Sequence, residues 1–576
     1  MKVLGIIDGA HDSSACLVED GRLVAAMSEE RLTRIKLVGG FPHESIARVL
    51  EVSSTPPEAV DVVAMGSILT PQVYFRFFRS LQKRVRLDGG IFAARDTSWK
   101  TRVADFIQFR SGISSLTPEG VIGRLELPVM RALVRRELPP ALQQKPIRFV
   151  EHHLSHAASA YYTSGRADAL CITCDGIGDG TSLAVFSCAD GRLKRLHTMR
   201  YPDSFGFFYA TVTGQAGFKP FRHEGKIMAL AAYGRPEAVD VPFPFERRGR
   251  RMAFVGQWGQ RGRPFFDRLM RHRLEDVAAW LQQGLEERVL DIVAEWVEKT
   301  GLRHLCLAGG LFANVRLNQR IHASGLVDSI YIFPHMGDGG LCAGGALRVC
   351  AEEATKRGVP YLPRPLDDVF LGPSYDDPTL EKALRAKGIP FEHPPDIDGE
   401  IARAVAAGKV VGRFTGRMEF GPRALGNRSI LCSAVDPATK DVLNRKLRRT
   451  EFMPFAPATR EEDAVRCYEG LDGAWTTARY MNIAFECTDF MKATCPGAVH
   501  VDRSARPQIV PAANAPLHRV LTQHLALTGL PSIINTSFNV HEEPIVCAPE
   551  DAVRTFEGGG LDALALGPFL ARRAEA

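Results

Sequence analysis

Three histidines lie within five residues in the segment VEHHLSHAASAYY: His152, His153 and His156. On a helix, the spacing between His152 and His156 places both imidazoles on one face, with about 5–6 Å between their Cβ atoms. Two such imidazoles can share a divalent transition metal when carboxylates complete the ligand shell. Asp175, at the end of a predicted strand, and Asp338, in a GDGG turn, are the candidate carboxylates. The alternative is a set of structural histidines and turn-forming aspartates, and His153 is expected to point elsewhere.

A second group of candidate ligands is rich in arginine. The segment GRMEFGPRALGNRSIL, which begins at Gly416, contains Arg417, Arg423 and Arg428, and its internal Gly-Pro pair favours a loop over a helix. Guanidinium groups bind phosphate in a bidentate manner, so we predict an anion site here. Further candidates for this site are Arg449, Arg506, Asn535 and Ser537. A solvated helix face around Arg449 and a plain polar turn after Asn535 are the alternatives.

Glycine-rich turns also follow predicted strands within the first 365 residues of the chain. LAGGLFANVRLN, from Leu307, follows an apolar strand. Glycine lets the backbone approach a ligand closely, and helix N-termini favour anions. We therefore expect a nucleotide-like ligand near Gly309, Gly310 and Asn314, with Lys226 as a cation close to its phosphates. Lys226 could instead cap an alanine-rich helix.

The elements that must position these residues follow a repeated pattern. The segments starting at Gly5 and Cys171 each contain an apolar strand, a turn with Asp-Gly, a second strand with Ser or Thr, and another Asp-Gly turn. Asp-Gly between apolar runs is a strong hairpin signal. Amphipathic helical patterns lie between and after these segments, so the expected fold class is α/β with a duplicated half. Two lobes that each open with a hairpin resemble the architecture of actin, Hsp70 and sugar kinases.

Proline becomes frequent from Val359, which indicates a change of domain. We predict an N-terminal domain over residues 1–365, a linker over 366–385 and a C-terminal domain over 386–576. The basic segment from Tyr74 to Pro140, with interspersed Phe and Trp, is either part of a ligand pocket or a solvated helical insertion.

Overall composition excludes several classes of protein. The chain has 576 residues, 45% of them hydrophobic and 24% charged, as expected for a folded globular protein. Its net charge of +6, from 72 basic and 66 acidic side chains, indicates no nucleic-acid partner. We expect no membrane span and no leader peptide, a cytoplasmic location, and reduced thiols for the 12 cysteines. The sequence leaves the oligomeric state open.

Long motifs along nearly the whole chain resemble one family. IDGAHDSSACLVEDG, MSEERLTR, HHLSHAASAYY, CDGIGDGTS, HEGKIMALAAYG, GRMEFGPRALGNRSIL, RTEFMPFAP and SIINTSFNVHEEPIV occur in the order found in the antibiotic and nodulation-factor O-carbamoyltransferases, the NodU/CmcH/TobZ family. The resemblance implies a duplicated actin-like N-terminal domain similar to the tRNA threonylcarbamoyladenosine transferase (TsaD-like), joined to an α/β YrdC-like C-terminal domain.

The family's chemistry implies roles for these residues. In enzymes that this chain resembles, carbamoyl phosphate and ATP, with Mg, give carbamoyl adenylate in the C-terminal domain, and a metal, usually Fe(II), assists carbamoyl transfer to a hydroxyl of an antibiotic or sugar-like acceptor. His152, His156, Asp175 and Asp338 match the metal ligands. His11 and Asp12 match positions near the acceptor and are the candidates for positioning or deprotonating its hydroxyl. Arg417, Arg423, Arg449 and Arg506 match the anion-binding motifs, whereas Leu447 and Met453 replace basic residues of many members.

Three other functions share parts of this pattern. An actin-like sugar kinase explains the hairpins but not the histidine pair or the arginine-rich second domain. A tRNA threonylcarbamoyl transferase shares both domain types, but the small net charge disfavours a tRNA substrate. An ATP-switched binding module of the Hsp70 kind has no use for a metal site. The sequence does not identify the acceptor, the physiological metal or the acceptor-activating base.

Overall fold

The computed structural model describes residues 1–68, 121–249, 251–447, 452, 455–540, 542–558 and 560–573, without the side chains of 121–125 and 260. Most of the predicted segment from Tyr74 to Pro140 therefore lies outside the described residues. The chain forms two compact units. The first contains Met1–Glu29 and Leu37–Leu366, and the second contains Glu30–Lys36 and Asp367–Ala576.

The first sheet of the first unit contains the predicted N-terminal hairpin. Its five strands are β1 (Lys2–Ile7), β2 (Ser14–Glu19), β3 (Arg22–Ser28), β4 (Val62–Met65) and β5 (Ile147–Phe149), in the order β3-β2-β1-β4-β5. β1, β2 and β3 pair antiparallel, whereas β4 and β5 join in parallel. The Asp20-Gly21 turn between β2 and β3 has positive φ at both residues, 47° and 79°, as Asp-Gly hairpin turns require.

The second sheet of the first unit repeats this topology. It contains β6 (Ala169–Gly178), β7 (Thr181–Ala189), β8 (Arg192–Arg200), β11 (His304–Ala308) and β12 (Ser329–Ile332). Between β8 and β11 in the sequence, β9 (Phe245–Arg248) and β10 (Arg251–Phe254) form a separate two-stranded ribbon. The strand order is β12-β11-β6-β7-β8, again with three consecutive antiparallel strands followed by two parallel ones. The two repeated sequence segments therefore form equivalent halves, as their shared pattern predicted.

Helices connect and cover these sheets. In chain order they are α1 (Glu29–Thr33), α2 (His43–Val52), α3 (Val121–Glu137), α4 (His152–Thr163), α5 (Phe205–Gln215), α6 (Glu224–Leu230), α7 (Arg263–Leu269), α8 (Leu274–Thr300), α9 (Val315–Ala323) and α10 (Leu341–Lys356). The long amphipathic helix α8 buries Val277, Leu281, Leu285 and Val289 along one side and ends at Gly301, whose φ of 70° suits a glycine C-cap. Among the described residues, no helix is long and apolar enough to cross a membrane.

The second unit is built on a seven-stranded mixed sheet in the order β18-β15-β19-β14-β13-β20-β21. Its strands are β13 (Val411–Phe414), β14 (Arg428–Ser433), β15 (Ala456–Arg460), β16 (Phe485–Glu486), β17 (Ser504–Ala505), β18 (Gln508–Val510), β19 (Ser532–Ser537), β20 (Ala563–Leu566) and β21 (Phe569–Arg572), with β16 and β17 as a separate pair. Its helices are α11 (Asp377–Arg385), α12 (Ile397–Ala406), α13 (Thr439–Lys446), α14 (Ala464–Cys467), α15 (Trp475–Ala478), α16 (Asp489–Thr494), α17 (Ala515–Thr528) and α18 (Pro549–Gly558). α12 and α17 cover one face, where Ile401, Val405, Val520 and Leu521 join the core.

Of the linker predicted over 366–385, residues 367–385 belong to the second unit and Leu366 belongs to the first. Val369 and Leu371 are buried, and the backbone of 369–373 pairs with that of 418–420: Phe420 N donates to Val369 O, and Gly372 N donates to Met418 O. The segment then continues into α11. A proline-rich composition indicates irregular backbone, but it cannot show that this backbone has a distant hydrogen-bonding partner.

Candidate metal centre and anion site

Helix α4 carries the histidine pair at its buried N-terminal end. Glu151 caps the helix by accepting a hydrogen bond of 2.8 Å from Leu154 N, and Arg195 pairs with the same carboxylate oxygen. His152 and His156 are each 1% exposed, and their ring centroids lie 4.8 Å apart. The helical spacing predicted from the sequence is therefore present.

Asp175 and Asp338 approach the same two imidazoles. One oxygen or nitrogen from each of the four residues lies within 4.8 Å of the others. Asp175 Oδ2 is 3.1 Å from His156 Nε2 and 3.7 Å from His152 Nε2, while Asp338 Oδ1 is 3.7 Å from His156 Nε2 and 3.6 Å from His152 Nε2. Asp175 comes from strand β6 and Asp338 from a short turn before α10, so the cluster draws on three separate parts of the first unit.

The chemistry of these donors fits a divalent metal ion. Among the described residues, His152 Nε2 has no hydrogen-bond partner, although it is buried and faces two carboxylates. Burial lowers the pKa of His152, but the negative charges of Asp338 and Asp175 outweigh this effect and raise that pKa to about 9. For Asp175, burial raises the pKa, but the two imidazoles outweigh it and hold the pKa well below its usual range. Two imidazoles and two carboxylates are a suitable shell for a divalent transition metal.

Two neighbouring residues hold His152 in place. Asp179 accepts hydrogen bonds of 2.9 Å from His152 N, Ser67 Oγ and Ile68 N. Gly178 leaves room for the His152 ring, because a Cβ at this position would lie 2.1 Å from its Cδ2 atom. The sequence analysis did not single out either residue, although the Asp-Gly turn in CDGIGDGTS marked their location.

His153 has a structural role, as the sequence analysis expected. It is fully buried, and its ring nitrogens contact Thr173 Oγ1 at 2.8 Å and Thr181 O at 3.1 Å. Both contacts are to the strands on which α4 packs. This imidazole therefore fixes the helix and is directed away from the ligand cluster.

His11 and Asp12 lie beside the cluster. Their side chains contact each other at 3.1 Å, and His11 Nε2 is 3.9 Å from Asp338 Oδ2. Burial lowers the pKa of His11, but Asp12 and Asp338 outweigh this effect and raise that pKa to about 10. On its other side His11 stacks on Phe221, with ring centroids 6.0 Å apart.

Glu224 is a further titratable group at this position that the sequence analysis did not identify. Its Oε1 accepts a hydrogen bond of 2.5 Å from Phe221 N, and the charge of His11 acts to lower its pKa. Burial raises the pKa of Glu224 to about 7. A carboxyl group with this pKa is suited to proton transfer near neutral pH.

The residues predicted to contact a nucleotide in the first unit have mixed outcomes. Gly309, with φ of 104°, packs so closely that a Cβ would lie 2.2 Å from Cys174 O, and Gly310 N donates to Asp175 Oδ2 at 3.3 Å. The turn therefore supports a candidate metal ligand. The expectation for Asn314 is not supported: it caps α9 by accepting from Leu317 N, and its amide pairs with Gln282. Lys226 is 7% exposed within α6.

The structure corrects two predicted ligands of the anion site. Arg428 is fully buried, donates to the backbone carbonyls of Thr415, Asn427, Pro373 and Gly416, and lies 3.7 Å above the Phe414 ring. Asn535 is 1% exposed and donates to Gln508 Oε1 at 2.6 Å. Both side chains have a structural role, because the buried carbonyl groups of the surrounding loop need hydrogen-bond donors where solvent does not reach them.

Other predicted anion ligands remain candidates. Arg423, Arg506 and Ser537 are half-buried in the second unit. Arg417 donates to the carbonyls of Leu371 and Gly372, so part of its guanidinium holds the preceding segment. Arg449 lies outside the described residues. The centre of the predicted site is therefore the tip of the 416–428 loop around Arg423.

Several proteins are similar to this chain over most of its length. Nodulation protein NolNO of Sinorhizobium fredii is 31% identical, and the match covers 98% of this chain and 79% of that protein. Nodulation protein NolO of Bradyrhizobium diazoefficiens is 35% identical over 74% of this chain and 79% of its own length. Among solved structures, full-length HypF in its phosphate- and nucleotide-bound form covers 61% of this chain with a TM-score of 0.36 and 14% identity, a likeness too low to support an argument.

Family models match both units. The carbamoyltransferase N-terminus model matches residues 2–243 and 260–347, which contain all four residues of the histidine–aspartate cluster. The carbamoyltransferase C-terminus model matches residues 402–573, which contain the arginine-rich loop. The chain belongs to the carbamoyltransferase family and is a carbamoyltransferase with a mixed α/β fold.

Proposed function

We propose that this carbamoyltransferase is an ATP-dependent O-carbamoyltransferase that works in two steps. Carbamoyl phosphate and ATP first give carbamoyl adenylate in the second unit, and the carbamoyl group then passes to a hydroxyl of a small natural-product or sugar-like acceptor in the first unit. The observation that carries the proposal is the buried cluster of His152, His156, Asp175 and Asp338 in a chain of this family. The first unit would be the TsaD-like, actin-like domain and the second the YrdC-like domain.

The first unit would perform the transfer step. The acceptor hydroxyl oxygen forms a bond to the carbamoyl carbon, the bond from that carbon to the AMP oxygen breaks, and AMP leaves with the electron pair. His152, His156, Asp175 and Asp338 would hold a divalent metal, which we propose is Fe(II). When bound, this metal supplies Lewis-acid polarisation of the carbamoyl carbonyl.

The acceptor hydroxyl must lose its proton during transfer. We propose that Glu224 accepts this proton, because its pKa of about 7 leaves a substantial carboxylate fraction at neutral pH. His11 and Asp12, in contact with each other at 3.1 Å, would orient the hydroxyl. This division between a base and a positioning pair follows from the two pKa values: burial raises that of Glu224 to about 7, whereas the contact with His11 lowers that of Asp12.

The second unit would perform the ATP step. Carbamoyl phosphate, ATP and one water give carbamoyl adenylate, pyrophosphate and phosphate, and every reactant and product of this step except water carries phosphate groups. Arg423 and Arg506 would bind these groups, because arginine provides planar, permanently charged donors for phosphate oxygens.

The proposal is tested by incubating the protein with Fe(II), Mg, ATP and carbamoyl phosphate and analysing the nucleotides by mass spectrometry. Carbamoyl adenylate, or AMP with pyrophosphate, supports the proposal. ADP as the sole product would support a kinase or ATPase and refute it. Candidate alcohols are then screened for a gain of one carbamoyl mass.

The two-step division is tested by His152→Ala. We expect carbamoyl transfer to be lost and adenylate formation to persist, because the substitution removes a candidate metal ligand of the first unit alone. His43→Ala is the matched control, since the His43 side chain is 54% exposed and is not a member of the histidine–aspartate cluster. Loss of both half-reactions in a folded His152→Ala protein would refute the division.

A further inference from the structure

A short segment from the beginning of the chain belongs to the second unit. Glu30–Lys36 lies between two parts of the first unit in sequence but packs with residues from Asp367 onward. The residues that flank it are both hydrogen-bonded to Ser13 of the first unit: Glu29 N donates to Ser13 O at 2.9 Å, and Ser13 N donates to Val38 O at 3.0 Å. Glu30–Lys36 is therefore a defined excursion with fixed ends.

Two arginines of this excursion hold loops of the second unit. Arg31 is 5% exposed, and its Nη2 donates to Gly421 O at 2.8 Å. Arg34 donates to Ile545 O at 2.6 Å and Pro544 O at 2.7 Å, and its Nε lies 3.4 Å from Asp551 Oδ1. The backbone of Arg34 is left-handed, with φ of 59°, a conformation that costs a non-glycine residue about 1 kcal/mol or more and persists where surrounding contacts determine it.

Gly421 is two residues before Arg423, at the tip of the arginine-rich loop. The residues that follow Arg423 are also held through their carbonyls: Ala424 O accepts from Asn535 Nδ2 at 3.3 Å and Leu425 O accepts from Gln508 Nε2 at 2.8 Å. Of these three donors, only Arg31 comes from outside 367–576 in the sequence. Arg31 binds the loop before Arg423 in the sequence, whereas Asn535 and Gln508 bind it after Arg423.

Amide groups of the same loop are bound to a buried carboxylate. Glu419 Oε1 accepts from Leu425 N, Asn427 N and Arg428 N at 2.8–3.1 Å. The backbone is thus hydrogen-bonded on both sides of Arg423, whose side chain is half-buried. A side chain that must bind an anion with defined geometry requires this kind of support.

We propose that Arg31 is a positioning residue for the anion site of the second unit, where it holds Gly421 and thereby sets the position of Arg423. This inference rests on the proposed ATP step. It means that adenylate formation depends on a residue encoded far from the C-terminal segment that contains the site. Arg34 supports the same role by holding the excursion against Pro544 and Ile545.

The functional test is a double-mutant cycle in the full-length protein. Release of AMP and pyrophosphate is measured for Arg31→Ala, Arg423→Ala and the double variant. Loss of a charge-assisted hydrogen bond predicts a fall of about tenfold in kcat/KM for Arg31→Ala. If Arg31 acts through Arg423, it causes no further loss in the Arg423→Ala background. Independent, multiplicative losses would overturn the proposal. Arg31→Lys should recover part of the activity.

A second measurement does not depend on activity. Hydrogen exchange of the Leu425 and Asn427 amides should become faster in Arg31→Ala, with no change in the core strands of the second unit. The control is Arg48→Ala, because Arg48 forms a solvent-exposed pair with Glu51. Unchanged exchange in the loop, or faster exchange throughout the unit, would overturn the positioning role. If the wild-type protein forms no AMP, the proposed function fails while the exchange experiment still decides whether Arg31 holds the loop.

Discussion

Gly178→Ala is the most direct perturbation of the candidate metal centre that leaves its ligands unchanged. Gly178 ends strand β6, and a Cβ at this position would lie 2.1 Å from Cδ2, 2.2 Å from Cγ and 2.4 Å from Nδ1 of His152. Ordinary contact begins near 3.4 Å, so the ring would have to move by more than 1 Å. His152 is 1% exposed, and a close-packed interior offers no free space for this movement.

The expected effect on metal binding is large compared with the effect on folding. A displacement of about 1 Å in a positioned group can reduce its function about 100-fold, and loss of support around a metal ligand typically weakens binding by about 10- to 100-fold. Overpacking by one methyl group costs roughly 1–3 kcal/mol of stability, which a domain of ordinary stability tolerates. We therefore expect a folded protein whose Kd for Co(II) is raised at least about tenfold.

The assay is a Co(II) titration of the metal-free protein, followed by absorption spectroscopy and calorimetry. Gly176→Ala is the matched control, because it adds the same methyl group to the same strand and its Cβ would meet only Phe221 Cε1, at 3.5 Å. Gly176→Ala should bind Co(II) like the wild-type protein. If Gly178→Ala also binds with unchanged affinity, the geometry assigned to His152 in the candidate metal centre is wrong.

Three further predictions concern groups whose surroundings the structure defines. Asp179→Asn should weaken Co(II) binding about tenfold, whereas Asp190→Asn, in the equivalent exposed Asp-Gly turn, should not, as calorimetric titration can establish. Burial raises the pKa of Glu224 to about 7 from 4.5, so the folded state binds the proton more tightly and the first unit loses stability as pH rises through this interval. Urea unfolding should show a loss of about 3 kcal/mol that is absent in Glu224→Gln. Arg428→Lys should destabilise the second unit by about 3 kcal/mol, because lysine cannot serve four carbonyls, and calorimetry should show an unchanged transition for the first unit.

Short-range features were well predicted from the sequence. The spacing of His152 and His156 specified their shared helix face because a helix repeats every 3.6 residues. The two Asp-Gly hairpins predicted a duplicated fold, since the turn residues and strand patterns are local properties. The assignment of His153 to a structural role followed from the same helical geometry.

Roles that depend on long-range packing were less predictable. The sequence analysis assigned Arg428 and Asn535 to anion binding, but the structure shows both side chains donating to backbone carbonyls of their own unit. A buried structural arginine and a ligand-binding arginine have the same local sequence signature, because both occur in glycine-rich loops. Only the burial of the side chain and the identity of its acceptors distinguish them.

The sequence by itself determined the family, the repeated hairpins and the helical histidine pair, because these depend on residue types at fixed local spacing. Only the tertiary structure decided that Asp175 and Asp338 reach His152 and His156, and that Glu30–Lys36 belongs to the second unit. The physical reason is that contacts between distant segments are set by the packing of whole sheets and helices, and no local periodicity encodes them.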